Sequence, residues 1–442
     1  HRQQAKELLA AIQRRVVELQ AEFDRIYIQV IRALADKHIY LVNEQQLDER
    51  QAQFVQTYFS NTLLPELEPI MLREGQPIPA LNDESLYLAV EFRSGDAYHY
   101  AVVEVPTDRL ARFLEIPQRK GKSGKVFIVL DNVMRACLPQ MFRAYCFKIS
   151  RDAELDIDTG IGESLIDKMA LSLKQRRRAD AVRMVYDHRM PARLRDFLSA
   201  RFRFGKYDSL IAGGRYHNSK DFIDFPRVGP KYLEFRVQAP IRIPRLDTPG
   251  SIFDAIREKD VFLYYPYHSF DYIVDLLKTA ALDPQVRAIK ICLYRVARDS
   301  RVIDALVNAV NNGKKVLAAV ELAARFDEAA NISWAERLTE NGINVIFGIP
   351  GLKVHSKLLL IERREGNALR YYSHIGTGNF NEKTARLYTD FTLLTYDQNV
   401  GKDVFNVFDF LQYTYRRPGY KLLMVSPHSC RSGLVDLIDA EI

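Results

Sequence analysis

Apolar residues fall at alternating spacings of three and four through the first part of the chain. Leu9, Ile12, Val16, Leu19, Phe23, Ile26 and Val30 form a heptad seam, which predicts one long helix over residues 1 to about 35. The seam is expected to pack in a helical hairpin or bundle within the chain rather than in a coiled coil between chains. From about 85 to 150 the period shortens. "SLYLAVEFRSGDAYHYAVVEVP" alternates around Ser94-Gly95-Asp96 as a hairpin would, and "GKVFIVLDNVM" and "YCFKISRD" predict further strands or buried segments. Residues 162–205 read as helical and mixed, followed by an irregular loop, "GGRYHNSKDFIDFP". The proline-rich "APIRIPRLDTPGS" (239–251) is the strongest boundary signal in the chain.

Beyond that boundary the pattern alternates strand with helix. "VFLYYPY" precedes a helix with Ile273, Leu276, Leu277 and Ala280 on one stripe. "AIKICLYRV" precedes a helix with Ser300 as N-cap, Ile303, Leu306, Val307 and Val310 on one stripe, and Gly313 as its stop. "KKVLAAVEL" and a third helix through Ile332, Ala335 and Leu338 follow, then the short strands "INVIFGI", "HSKLLLIE", "LRYYSHIG" and "DFTLLTY". Such alternation implies a sheet between helices, with functional residues at strand ends. The fold class is therefore multidomain: a helical N-terminal part, an α+β part and an α/β part.

Composition narrows the classes. The 442 residues are 47% hydrophobic and 27% charged, a profile of soluble globular proteins at a length that suggests about three or four domains. No apolar run approaches the ~20 residues a bilayer-spanning helix needs, and no secretory leader pattern opens the chain. The four cysteines show no C-x-x-C spacing, against a disulfide framework or zinc knuckle and in keeping with a reducing, cytoplasmic setting. The formal net charge of +7 suits a polyanionic partner without naming one. The chain opens at His1 without methionine and already in a helical pattern, and stops at "LVDLIDAEI"; a fragment is expected.

Several signatures dissolve on inspection. "RKGKSGKV" contains Gly-Lys-Ser, but a phosphate loop needs glycine five residues before Gly121, and Ile116 stands there. No histidine pair has helical metal-ligand spacing, and no G-x-S-x-G motif occurs. Residues 290–390 are richer. Arg295 and Arg325 stand at strand ends, where a guanidinium fork suits phosphate oxygens. In "GLKVHSKLLLIE", His355 and Lys357 would face the same way from one strand. "SHIGTGNFNEKTARLYTDF" adds a Gly-x-Gly turn around Thr377, with Asn379 beside it and Tyr388 downstream, which would bring backbone N–H groups close to an anion. Together these describe a phosphate site containing a histidine. A neutral imidazole there could take up a terminal phosphoryl group, with Lys357, Arg295 and Arg325 neutralising its oxygens and Mg²⁺ bridging nucleotide phosphates. His374 has a loop-bracing or chemical role open to it, and Tyr388 either packs on the sheet or stacks on a base.

His-x-Lys followed by "GTGN" resembles the phospholipase D superfamily, in which four residues and then an aspartate follow the lysine; Glu362 occupies that position here. The strings "LYYPYHSFDYIVDLLKTAA", "LYRVARDSRVIDAL", "NGKKVLAAVELAARFDEAANISWAERL", "GLKVHSKLLLI" and "HIGTGNFNEKTARLYTDF" resemble the large, histidine-phosphorylated family of bacterial polyphosphate kinases, and the likeness extends upstream through "DSLIAGGRYHNSKDFIDFP". The resemblance implies phospholipase D-like catalytic domains and four parts: residues 1–26 as the end of a helical domain, 27–241 as a head domain, 242–422 as a first catalytic domain and 423–442 as the start of a second. It implies reversible transfer of the γ-phosphate of ATP to inorganic polyphosphate, with Mg²⁺. It implies His355 as the phosphohistidine beside Lys357, Tyr388 and Asn379 at the nucleotide and phosphates, His374 in support, and Arg295 and Arg325 near Mg²⁺ through phosphate oxygens. ATP, ADP and polyphosphate are the implied partners, with a homo-oligomer (dimer or tetramer), no nucleic acid, and room for peripheral association with the inner membrane face. Because a second essential histidine would lie past Ile442, the chain alone is expected to have little kinase activity. A phospholipase D-type phosphodiesterase and a non-catalytic polyanion-binding module are the competing expectations.

Overall fold

The computed structural model describes residues 2–73, 78, 81–83, 85–119, 121, 123–138, 142–151, 181–205, 208–236, 238–247, 252–297, 299–322, 328–349 and 352–442. The described residues form two compact units, one ending at Arg236 and the other running from there to Ile442.

The first unit opens with helix α1 (Arg2–Ala35). The heptad period predicted the helix, but not the face it uses. Leu9, Ile12, Leu19, Phe23, Ile26 and Val30 are exposed, and no second helix covers them among the described residues. The half-buried edge is instead Gln13, Val16, Gln20, Asp24, Tyr27, Ile31 and Leu34. Gln13 donates to Ser209 Oγ at 2.6 Å, and Tyr27 meets the rings of Tyr216 and Phe222 with centroids 5.6 Å away in each case. Polar and aromatic contacts, with Leu34 against the Ile39, Phe113, Phe127 and Val129 cluster, therefore dock α1, and the apolar seam apart from Val16 faces away.

Two sheets build the rest of this unit. β1 (Ile39–Val42), β5 (Phe113–Ile116) and β6 (Lys125–Val129) form one in the order β1-β6-β5. The other has the order β2-β4-β3-β7-β8-β9, from β2 (Ile70–Leu72), β3 (Tyr87–Ser94), β4 (Ala97–Glu104), β7 (Phe142–Arg151), β8 (Ala181–Asp187) and β9 (Ser209–Gly213). The hairpin predicted at Ser94-Gly95-Asp96 joins β3 to β4, and Gly95 takes φ +63°, which glycine adopts without cost. Helices α2 (Glu49–Tyr58), α3 (Leu130–Cys137) and α4 (Ala192–Arg201) complete it. β8 corrects the helical and mixed reading of 162–205: Ala181, Met184 and Tyr186 are buried against the sheet. Residues 162–180 of that segment lie outside the described set.

The second unit is a three-layer α/β sandwich. Its strands are β10 (Val261–Tyr265), β11 (Val286–Leu293), β12 (Lys315–Val320), β13 (Asn344–Phe347), β14 (Lys357–Glu365), β15 (Ala368–Gly376) and β16 (Asp390–Thr395), ordered β10-β16-β15-β14-β11-β12-β13. Helices α5 (Ile252–Glu258), α6 (Asp271–Leu282), α7 (Arg301–Asn311) and α8 (Glu328–Glu340) cover one face; α9 (Gln398–Gln412) covers the other; α10 (Cys430–Glu441) lies exposed. Period-two alternation sorts each strand between the layers. Ile289 and Ile291 of β11, with Leu359 and Ile361 of β14, enter the four-helix side, whereas Cys292, Leu358 and Leu360 pack toward α9.

The pairing directions fix where chemistry can occur. β11, β12 and β13 run parallel, and β14, β15, β16 and β10 then alternate antiparallel. One end of the sheet consequently gathers the C-termini of β11, β12, β13, β15 and β10 with the N-termini of β14 and β16. No helix among the described residues is long and apolar enough to cross a membrane.

Candidate active site

At that end β11 delivers Tyr294 and Arg295, and β14 is entered through His355. The strand begins at Lys357, so His355 sits in the extended segment before it and not within it as the alternation suggested. The two side chains still share a wall. The His355 ring stands edge-on to Tyr294, centroids 4.6 Å apart and planes at 86°, and Lys357 Nζ lies 5.0 Å from the centre of the same tyrosine ring. Lys357 is 6% exposed and donates to the carbonyl of His355 at 2.5 Å. The Arg295 guanidinium is 5.6 Å from the Tyr294 ring centre.

Burial first, and then the neighbouring cations, shift the protonation equilibria of His355 and Lys357. Partial desolvation, followed by Lys357, Lys353 and Arg295, holds the His355 imidazole below its ordinary range, against an opposing pull from Glu321. Burial pushes Lys357 below the usual ammonium range, with Arg295 adding to the effect and Cys292 and Asp390 opposing it. At neutral pH His355 is a neutral imidazole with a lone pair, set among positive charges.

The turn after β15 closes the site. Gly376 is paired directly with Lys357 across the strands. A Cβ on Gly376 would come within 2.7 Å of the His374 ring, and one on Gly378 within 2.7 Å of the Asp390 carboxylate. Close approach therefore requires the two glycines; neither has a left-handed φ. The N–H of Thr377 is taken by the Phe391 carbonyl and its hydroxyl donates to Asp390 at 2.8 Å, so this residue contributes strand pairing and no free N–H. Asn379 is half-buried, and its side-chain Oδ1 has no hydrogen-bond partner among the described residues. That oxygen can accept from a donor, and an anion would have to be met by the N–H groups of the same amide.

The other anticipated positions divide. His374 is 2% exposed, packs on Phe380 and shares a 3.1 Å hydrogen bond between Nε2 and the Thr392 hydroxyl; burial pushes it down to about 4. It braces the turn from inside as a neutral ring. Tyr388 is exposed on the loop before β16. Arg325 lies outside the described residues. Glu362 is removed from the site by parity: five residues from Lys357 on one strand, it faces the α9 side, where it pairs with Lys290 at 2.7 Å. Asp390, Tyr294 and Glu321 were not anticipated. Each sits at a strand end that the pairing brings to the site, and only the strand ends in the sequence pointed toward them.

An imidazole, a buried ammonium and a guanidinium thus meet at the end of a doubly covered sheet, a set of groups suited to an anion. Comparisons with known proteins make this specific. Residues 251–417 match the family model described as polyphosphate kinase C-terminal domain 1, and residues 50–225 match the polyphosphate kinase middle domain. The polyphosphate kinase of Vibrio parahaemolyticus is 47% identical over 448 aligned residues, covering 99% of this chain and 64% of that protein. That of Escherichia coli K12 is 45% identical over 450 residues, covering 99% and 65%. The crystal structure of polyphosphate kinase from Porphyromonas gingivalis superposes with a TM-score of 0.79 at 30% identity, over 98% of this chain and 65% of that one. The chain belongs to the polyphosphate kinase family, and it spans somewhat under two thirds of the length of these relatives.

Proposed function

We propose that the protein is an ATP–polyphosphate phosphotransferase with His355 as its phosphoryl carrier. The imidazole lone pair attacks the terminal phosphorus of ATP in line with the departing oxygen. The P–N bond forms as the P–O bond to ADP breaks, and ADP leaves with that electron pair. In the second step a terminal oxygen of polyphosphate attacks the same phosphorus, the P–N bond breaks, and the neutral ring is restored with the chain one unit longer. Both steps are reversible because the phosphoryl group moves between phosphate-like partners.

Lys357 and Arg295 neutralise the oxygens of the moving group, and Arg325 is assigned the same task. Asn379 is assigned to the phosphates through the N–H groups of its side-chain amide, and Tyr388 to the nucleotide. An arginine cannot ligate a cation, and among the described residues no three histidines, cysteines or carboxylates gather around one point. Mg²⁺ would be held near Arg295 and Arg325 through phosphate oxygens, where it would supply further positive charge. The reading extends to a cytoplasmic homo-oligomer, for which the exposed seam of α1 supplies an assembly face, and to peripheral membrane contact through the positive charge.

The observation that carries the proposal is the His355 ring standing on Tyr294, with Lys357 and the Arg295 guanidinium against the same tyrosine, in a chain of this family. Incubation of the full-length protein with γ-labelled ATP is expected to give a phosphoprotein that is acid-labile and base-stable, with release of ADP. The H355A protein should take up no label; labelling of that variant to the wild-type level would overturn the assignment.

A further inference from the structure

β11 and β12 end side by side, and the residues that follow them are knotted together. The Glu321 N–H donates to the carbonyl of Leu293 at 3.0 Å. The Asn331 side-chain amide, on α8, donates to the carbonyls of Tyr294 and Glu321, both at 2.8 Å. Glu321 Oε2 then accepts the N–H of Val354 at 2.7 Å. Glu321 is 4% exposed and Asn331 2%. One carboxylate and one amide thus bind the segment after β11, the segment after β12 and the segment that enters β14.

Val354 precedes His355. Its N–H is held by Glu321 on one side, and the His355 carbonyl receives Lys357 on the other, so the backbone carrying the imidazole is fixed at both flanks. The ring then rests on Tyr294, whose carbonyl Asn331 holds. A neutral amide oxygen would accept a backbone N–H as well as a carboxylate does, and burying a charge is unfavourable unless something offsets it. The offset is available: the charged groups acting on the His355 ring are Lys357, Lys353 and Arg295, with Glu321 opposing them, and Asp390 acts on Lys357.

We infer that Glu321, held by Asn331, is a positioning residue for His355: it fixes the backbone before the imidazole and supplies the negative charge that balances the cations around the ring. The geometry is independent of what His355 does. Its consequence for phosphoryl transfer rests on the proposed role of His355, because a less basic imidazole is both a weaker nucleophile and a better leaving group.

Substitution separates geometry from charge. E321Q keeps the acceptor and loses the charge, E321A loses both, and N331A releases Tyr294 while leaving the carboxylate in place. Two readouts on the whole chain test the idea without ATP. The first is the titration midpoint of the His355 ring in long-range proton–nitrogen correlation spectra. The second is the rate at which phosphoramidate, a small phosphoryl donor, phosphorylates His355, followed by phosphorus NMR. E321Q should lower the His355 midpoint by about half a pH unit, as loss of one nearby charge in a partly hydrated site would. E321A and N331A should slow phosphoramidate labelling several-fold above the midpoint, with E321Q less affected. Midpoints and labelling rates equal to wild type in E321Q and N331A, in folded protein, would overturn the inference, and these two variants decide it if E321A does not fold. If the variants shift as expected while ATP fails to label the full-length wild-type protein, the positioning role stands and the phosphoryl-carrier reading fails.

Discussion

In its proposed role His355 acts as a nucleophile only while it carries no proton, and its surroundings extend that condition. Desolvation and the neighbouring Lys357, Lys353 and Arg295 lower its proton affinity, so the neutral form persists as pH falls through the ordinary imidazole range. Phosphohistidine formation should therefore stay level from pH 8 through about 6.5 and decline only below that; a rapid-quench labelling series across pH would show it. A decline centred above about 6.5 would mean that the cations do not act on the ring. His374 shows the same direction of shift with a different result. Its folded value near 4 lies below the unfolded value of 6.5, so its contribution to stability is complete above about 6.5 and is lost as pH falls toward 4. The loss amounts to about 3 kcal/mol, and H374Q should flatten the dependence of urea-unfolding midpoints on pH in that interval.

Helix α7 shows how elements far apart in sequence complete each other. Ser300 Oγ accepts from the N–H of Ile303 at 3.5 Å, a weak cap by its length. The N–H groups of Arg301 and Val302 are taken instead by Glu382, at 2.8 and 3.3 Å, from the loop beyond Asn379. A buried carboxylate at a helix N-terminus bonds unpaired donors and favours the macrodipole. E382A should cost about 1–2 kcal/mol in chemical denaturation, and E382Q less. Ser300 and Gly313 were legible because caps and stops are local signals, whereas Glu382 was hidden because its partner is 80 residues away. The same limit explains α1. A three-and-four spacing reveals a helix, but the docked edge depends on Ser209, Tyr216 and Phe222, which no local pattern connects to it. β8 was obscured for a related reason: its residues follow a run of arginines that reads as a solvated helix, and their burial comes from pairing with β7 and β9.

On the scale of the whole molecule, the residues with chemical character were legible and their company was not. His355, Lys357 and Arg295 stand out as ionisable groups in apolar strings. That Tyr294, Glu321 and Asp390 join them, and that Glu362 does not, follows from the insertion of antiparallel β14 between β11 and β15, a pairing set by the complete sheet. The assembled site is a cluster of cations on a chain of formal charge +7, and a polyphosphate ligand carries negative charge along its length. Capture of such a ligand should then be mainly electrostatic, and salt should weaken it as the screening length falls from about 10 Å at 0.1 M to about 3 Å at 1 M. Binding of a fluorescently tagged polyphosphate is expected to weaken at least about tenfold between those concentrations. K353E should reduce both the affinity and its dependence on salt, because Lys353 is one of the charges facing His355. The same substitution removes a cation that lowers the proton affinity of the ring, so the His355 titration midpoint should rise in step. An affinity indifferent to salt would place the recognition in shape or hydrogen bonding instead of charge, and a K353E protein that lost affinity with no change at His355 would put the polyanion's contacts away from the ring.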